Sequence, residues 1–143
     1  MSGWKTIVVG VDGSPSSRTA LTWAAAEAAD HGADLVVINV WEHTLLPPAG
    51  SVSVSERYVA DPSQRTAEDL VNVIKEELGE NPPVLVQPQV KQGNPAKVLI
   101  DQSENADLLV VGTRGHGGFR GLVLGSVSQH VAAYANCPVT VVR

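Results

Sequence analysis

Five short, nearly continuous apolar stretches recur along the chain, and longer segments of helical periodicity separate them. Thr6 to Val11 reads T-I-V-V-G-V and Leu35 to Val40 reads L-V-V-I-N-V. Val84 to Val90, Leu108 to Val111 and Val139 to Val142 have the same β-branched character. A strand half-exposed to water alternates apolar and polar positions. These stretches do not, so they predict strands of a sheet covered on both faces.

The intervening segments carry helix starts and stops. Ser14-Pro15 places a capping residue before a proline at the first helical position, and an alanine-rich run follows through Ala29 to a stop at Gly32. Asp61-Pro62 repeats that start, with Leu70, Val71, Ile74 and Leu78 on one face and Gly79 as the stop. Asn94-Pro95 opens a short helix bearing Val98, Leu99 and Ile100. Ser126-Val127-Ser128-Gln129 reads as a capping box opening a helix through about Ala135. The order β-α-β-α-β-α-β-α-β predicts one α/β domain over residues 1–143, an open, doubly wound, mainly parallel sheet with right-handed crossovers. Residues Trp41 to Ala60, with Pro47, Pro48, Gly50 and no apolar period, predict a long loop.

Composition narrows the functional classes. The 143 residues carry a formal net charge of −5, which disfavours sequence-independent nucleic-acid binding. The apolar runs fall well short of the ~20 residues of a membrane span, and the start Met1-Ser2-Gly3-Trp4-Lys5 is unlike a signal peptide. One cysteine, Cys137, excludes an internal disulfide and fits a cytoplasmic location. Cys137 itself reads as a small buried hydrophobe rather than a reactive thiol. The four histidines show no metal-ligand spacing.

The densest chemical signal lies between the fourth strand and the last helix. Gly112 to Ser126 reads G-T-R-G-H-G-G-F-R-G-L-V-L-G-S. Residues without a Cβ let a ligand lie against backbone N–H groups. A helix opening after such a loop adds unpaired donors and the positive end of its dipole. The loop therefore predicts a phosphate cradle. It is not a Walker A loop, which ends in G-K-[S/T], and it is not the G-x-G-x-x-G fingerprint after a first strand. Arg114 and Arg120 could neutralise phosphate, or lie solvated. His116 could act as a base, or lie solvated. Ser126 could meet a phosphate or the backbone N–H of Gln129.

A second loop, Val11-Asp12-Gly13-Ser14, follows the first strand. If strands one and four are neighbours, Asp12 and Gly112 face each other across the crevice where ligands bind such sheets. Asp12 suits a ribose acceptor, a magnesium ligand, or a turn at the helix start. Gly10 inside an apolar strand signals close approach, by a ligand or by a packed helix.

Together these residues resemble the universal stress proteins. The resemblance runs from Lys5-Thr6-Ile7-Val8-Val9-Gly10-Val11-Asp12-Gly13-Ser14 to Cys137-Pro138-Val139-Thr140-Val141-Val142. Its sharpest part is the signature G-x2-G-x9-G-[S/T], met by Gly112, Gly115, Gly125 and Ser126. That spacing marks the ATP-binding branch of the family. The resemblance implies a five-stranded parallel sheet in the order 3-2-1-4-5, helices on both faces, and homodimers joined through Val139 to Val142. It implies ATP as ligand, with Mg2+ as a companion of the nucleotide. Asp12 would meet the ribose, with Gly10 and Val11 also in the nucleotide site, and Val40 would meet adenine through its backbone. Gly112, Thr113, Arg114, Gly115, His116, Gly117 and Gly118, with Gly125, Ser126, Val127 and Ser128, would wrap the phosphates.

Three functions compete. The first is a regulatory ATP-binding module for stress conditions, with little or no turnover and no catalytic residue. The second is a slow ATPase or nucleotidyl-transfer enzyme, for which only Asp12 and His116 are candidates. The third, a two-component receiver, fails because Asp12 has no acidic partner and Val90-Lys91-Gln92-Gly93 carries no aspartate. On the first reading Gly112→Ala or Gly125→Val is expected to abolish ATP binding and leave the fold largely intact.

Overall fold

Strands and helices alternate through the chain as the pattern predicts, and three of the four described helices open on proline. The computed structural model describes residues 3–41, 62–113 and 125–143, and the side chains of 62–65 are not among the groups it describes. The elements are β1 (Thr6–Gly10), α1 (Pro15–His31), β2 (Asp34–Trp41), α2 (Pro62–Leu78), β3 (Val86–Gln92), α3 (Pro95–Ser103), β4 (Leu108–Gly112), α4 (Ser126–Tyr134) and β5 (Val139–Val142). All strand pairs are parallel and the order is β3-β2-β1-β4-β5. The chain starts in the middle, winds outward one way, then crosses back and winds the other way. β1 and β4 are therefore neighbours and a crevice opens above them.

Alternate residues of each central strand feed two separate cores. Ile7, Val9, Leu35, Val37, Leu108 and Val110 pack with Ala20, Leu21, Ala24 and Ala28 of α1 and Leu70, Val73 and Ile74 of α2. Val8, Val36, Ile38, Leu109 and Val111 point the other way, onto Leu99 of α3 and Val131 of α4. Covering on both faces is the reason these strands lack alternation.

The element ends follow local chemistry. Ser14 caps α1, its hydroxyl accepting from Ser17 N–H at 3.3 Å. The helix runs past Ala29 to His31, where Gly32 takes φ 64°, a left-handed conformation that suits glycine. β3 begins two residues later than the apolar stretch suggests, at Val86, and extends to Gln92. Pro82-Pro83 precedes it, and Gly93 N–H bonds back to Trp41 C=O at 2.9 Å. At the opposite end of the sheet, Asp107 Oδ2 accepts from Lys5 N–H and Thr6 N–H at 2.8 and 2.9 Å, stapling the entry of β4 to β1. Those two backbone donors hold its carboxyl below the usual carboxylate range. Arg18 of α1 reaches Glu76 and Glu77 of α2 at 2.7 and 3.1 Å, joining the two helices on one face.

Candidate functional site

The site grows from the carboxyl ends of β1, β2 and β4. A recess opens there, walled by Ile38, Val40, Pro95, Leu99, Val111 and Val127, with Gly10, Val11, Asp12, Ser17, Gly112 and Ser128 completing its lining. The walls are apolar and the polar groups are few and convergent, the usual make-up of a small-molecule site. The loops after strands one and four meet at one crevice, as their sequence positions predict.

Backbone and hydroxyl bonds fix the first of these loops. Asp12 Oδ1 accepts from Ser14 N–H at 2.9 Å, and Asp12 N–H donates to Ser17 Oγ at 3.2 Å. The aspartate closes a turn at the start of α1 while its exposed carboxylate stays on the rim of the recess. Of the roles weighed for Asp12, the turn at the helix start is the one its hydrogen bonds show.

The neck of the glycine loop is clamped. Gly125 N–H donates to Thr113 C=O at 2.7 Å, so the chain leaves and returns at one point. Ser128, buried, donates its hydroxyl to Gly112 C=O at 2.6 Å and lies 3.2 Å from Thr113 C=O. Thr113 Oγ1 lies 3.3 Å from Ser16 Oγ. Ser128 thus braces the loop through its hydroxyl rather than extending that group into the recess.

Two expectations change here. The capping box at Ser126 does not form. Gly125 is the N-cap, Ser126 is the first helical residue, and the helix start has no side-chain cap. Gln129 N–H, the proposed partner of Ser126, bonds to Gly125 C=O at 3.0 Å instead. Serine one position inside the helix cannot reach back to cap it. The second change concerns Gly112. A Cβ there would stand 2.8 Å from the backbone carbon and oxygen of Ser16 and would also collide with the Ser16 hydroxyl. Backbone cannot yield as a side chain can, so Gly112 serves the seating of α1 on β4, and Gly112→Ala strikes the fold directly. Gly10 is also a packing glycine, its missing Cβ lying 2.9 Å from Leu99 Cδ1.

Of the other expected residues, Val40, Gly112, Val127 and Ser128 line the recess, while Thr113, Gly125 and Ser126 frame the neck. Arg114, Gly115, His116, Gly117, Gly118 and Arg120 lie outside the described residues; of the loop expected from Trp41 to Ala60, Trp41 instead ends β2 and the rest lies outside the described residues. Among the described residues no group of three His, Cys, Asp or Glu side chains could hold a metal ion. Cys137 is half-buried and its thiol is pushed up by that burial and by nearby Asp107, which keeps it protonated. Among the described residues no helix is long and apolar enough to cross a membrane.

Sequence reasoning passed over Ser16, Ser17, Asn39 and Leu99. Asn39 carried a visible signal, being the one polar residue in the second apolar run. Its side chain donates to Val11 C=O at 2.8 Å.

A family model, universal stress protein family, matches residues 3–143. The chain belongs to the universal stress protein family. A universal stress protein of Mycolicibacterium smegmatis is 38% identical over 138 residues, which is 96% of this chain and 45% of that relative. The chain spans about half the length of the curated relatives it matches first. Universal stress protein UspA from Lactobacillus plantarum superposes with a TM-score of 0.81 over 100% of both chains at 24% identity, a likeness of fold. A universal stress protein solved in complex with cAMP superposes with a TM-score of 0.67 at 28% identity, over 99% of this chain and 98% of that one. In universal stress protein terms, the glycine signature starts at the end of β4 and finishes at the uncapped start of α4.

Proposed function

We propose that this universal stress protein is a regulatory module that binds ATP at the β1–β4 crevice, with little or no turnover. One observation carries the reading. The starts of α1 and α3 are each closed by a side chain, Ser14 and Asn94, whereas the start of α4 has none. The uncapped start is the one that follows the glycine loop. Its first-turn amides are suited to an anion, and the loop's spacing Gly112, Gly115, Gly125, Ser126 matches the family's nucleotide signature. The cAMP complex of the 28%-identical relative supports an adenine nucleotide in this fold. Adenine fits the apolar walls, Asp12 stands on the rim for ribose, and the triphosphate runs to α4. Mg2+ would arrive with the phosphates, Asp12 being the recess's carboxylate among the described residues.

The magnitudes agree with a reversible ligand. Charge-assisted hydrogen bonds contribute roughly 1.5–3 kcal/mol each, against an association cost of about 4–15 kcal/mol. Several amides and a buried base leave about −8 kcal/mol, or micromolar affinity.

The protein also has the edge for a homodimer. Pro138 and Thr113 sit on the β4–β5 ladder through Leu109 N–H to Pro138 C=O and Thr113 N–H to Val142 C=O. Alternation then turns the N–H and C=O of Val139 and Val141 outward. The opposite edge, β3, carries Pro88 at an outward position, which blocks pairing there. Among the described residues β5 is the open edge.

Mass spectrometry of the denatured protein as purified, with calorimetric titration of the stripped protein, tests the nucleotide. An adenine nucleotide released at near-stoichiometric yield is expected. Titration with no heat from ATP, AMP or cAMP would refute the proposal. Sustained phosphate release from ATP and Mg2+, lost in His116→Ala, would establish the enzyme reading in its place.

A further inference from the structure

The β1–β2 ladder stops at Gly10 and Ile38, and a side chain occupies the acceptor of the next rung. In these strands the even-numbered residues of β2 face β1: Asp34 N–H bonds to Lys5 C=O and Val11 N–H bonds to Ile38 C=O, both at 2.9 Å. The next rung would be Val40 N–H to Val11 C=O. Among the described residues it is not made, and the paired register ends at Gly10 and Ile38. Val11 C=O instead accepts from Asn39 Nδ2 at 2.8 Å. Val40, which lines the recess, therefore turns its N–H and C=O toward β1 where β1 no longer meets them.

We propose that Asn39 is a base-specificity positioning residue: by holding the Val11 carbonyl off the ladder, it keeps the Val40 backbone open to read a purine edge. This rests on the adenine-nucleotide reading above. A backbone N–H beside a C=O complements adenine, which offers a ring-nitrogen acceptor beside an amino donor. Guanine places a carbonyl oxygen where adenine has its amino group, and that oxygen would confront the C=O of Val40. The same carbonyl capture fixes the exit of β1, so Asn39 sets the spacing between the base reader and the Asp12 turn. Asn39 touches no ligand in this scheme and acts through Val11.

Asn39→Ala and the near-isosteric Asn39→Asp remove the donor. Released, Val11 C=O is expected to complete the rung with Val40 N–H. ATP affinity should fall about tenfold, the equivalent of one hydrogen bond, while GTP, which shares the ribose and triphosphate, should hold its weaker affinity. The ATP:GTP preference would then shrink by that factor in both variants. Equal losses for ATP and GTP, or an unchanged preference, would overturn the proposal and leave the ATP site standing. A wild-type protein that binds no nucleotide would remove the function and this inference together. Hydrogen exchange of the nucleotide-free protein gives a reading independent of ligand. The Val40 amide should exchange faster than that of Ile38 in the wild type and become protected in Asn39→Ala. Equal protection of the two amides in the wild type also overturns it.

Discussion

At the scale of single residues, glycines that look alike in the sequence do different work. Gly13 has φ 86°, which a side chain strains. Gly112 has no room for a Cβ because the Ser16 backbone lies 2.8 Å away. Gly112→Ala should therefore lower unfolding free energy by about 1–3 kcal/mol through overpacking, read by urea denaturation without nucleotide. Stability equal to wild type would return Gly112 to a purely ligand-facing role. Ser128 belongs to the same clamp. Its buried hydroxyl satisfies the Gly112 carbonyl at 2.6 Å. Ser128→Ala leaves that carbonyl without its hydroxyl and is expected to cost about 1–3 kcal/mol. None of this was legible in the sequence, where each residue was one more member of a ligand loop, because the packing partners lie far away along the chain.

At the scale of elements, helix starts were read from their capping residues, and two of the three starts whose capping residue is described follow that reading. Ser14 and Asn94 cap α1 and α3, while Ser126 falls one residue inside α4 and caps nothing. Cap and phosphate should compete for the same amides. Gly125 has φ −67°, which any residue adopts. Gly125→Asp is thus expected to hold or raise thermal stability, by a few tenths of a kcal/mol, and to weaken ATP binding more than tenfold. Undiminished affinity in calorimetry would separate α4 from the phosphate. The β1–β4 staple predicts a pH effect. Asp107's lowered pKa means that its charged form is favoured in the fold. Its contribution is present above its ordinary value of 3.8 and is lost as pH falls through the lower folded value. Asp107→Ala should cost about 1 kcal/mol at pH 7, the staple being exposed, and the gap to wild type should close below about pH 4 in urea titrations.

At the scale of the whole molecule, strand order is decisive. Winding outward from β1 in both directions places β1 and β4 side by side and leaves β3 and β5 as edges. One edge carries Pro88 at an outward position and the other does not. Val141→Pro removes an outward amide that the β4 ladder does not use, so the monomer should stay folded. Sedimentation should then show a dimer in the wild type and a monomer in the variant. A wild-type monomer at micromolar concentration would refute pairing through β5.

The fold class was written in local pattern. β-branched runs without alternation demand a doubly covered sheet, and prolines behind capping residues open the helices between them, so the sequence determined the element order and a glycine loop with nucleotide-site spacing. That Gly10 and Gly112 are packed against by Leu99 and Ser16, that Ser128 clamps the neck of the glycine loop, and that Asn39 takes the Val11 carbonyl beside Val40 were decided only in the tertiary structure. Each depends on groups distant in sequence and within about 3 Å in space, a relation that no local pattern along the chain encodes.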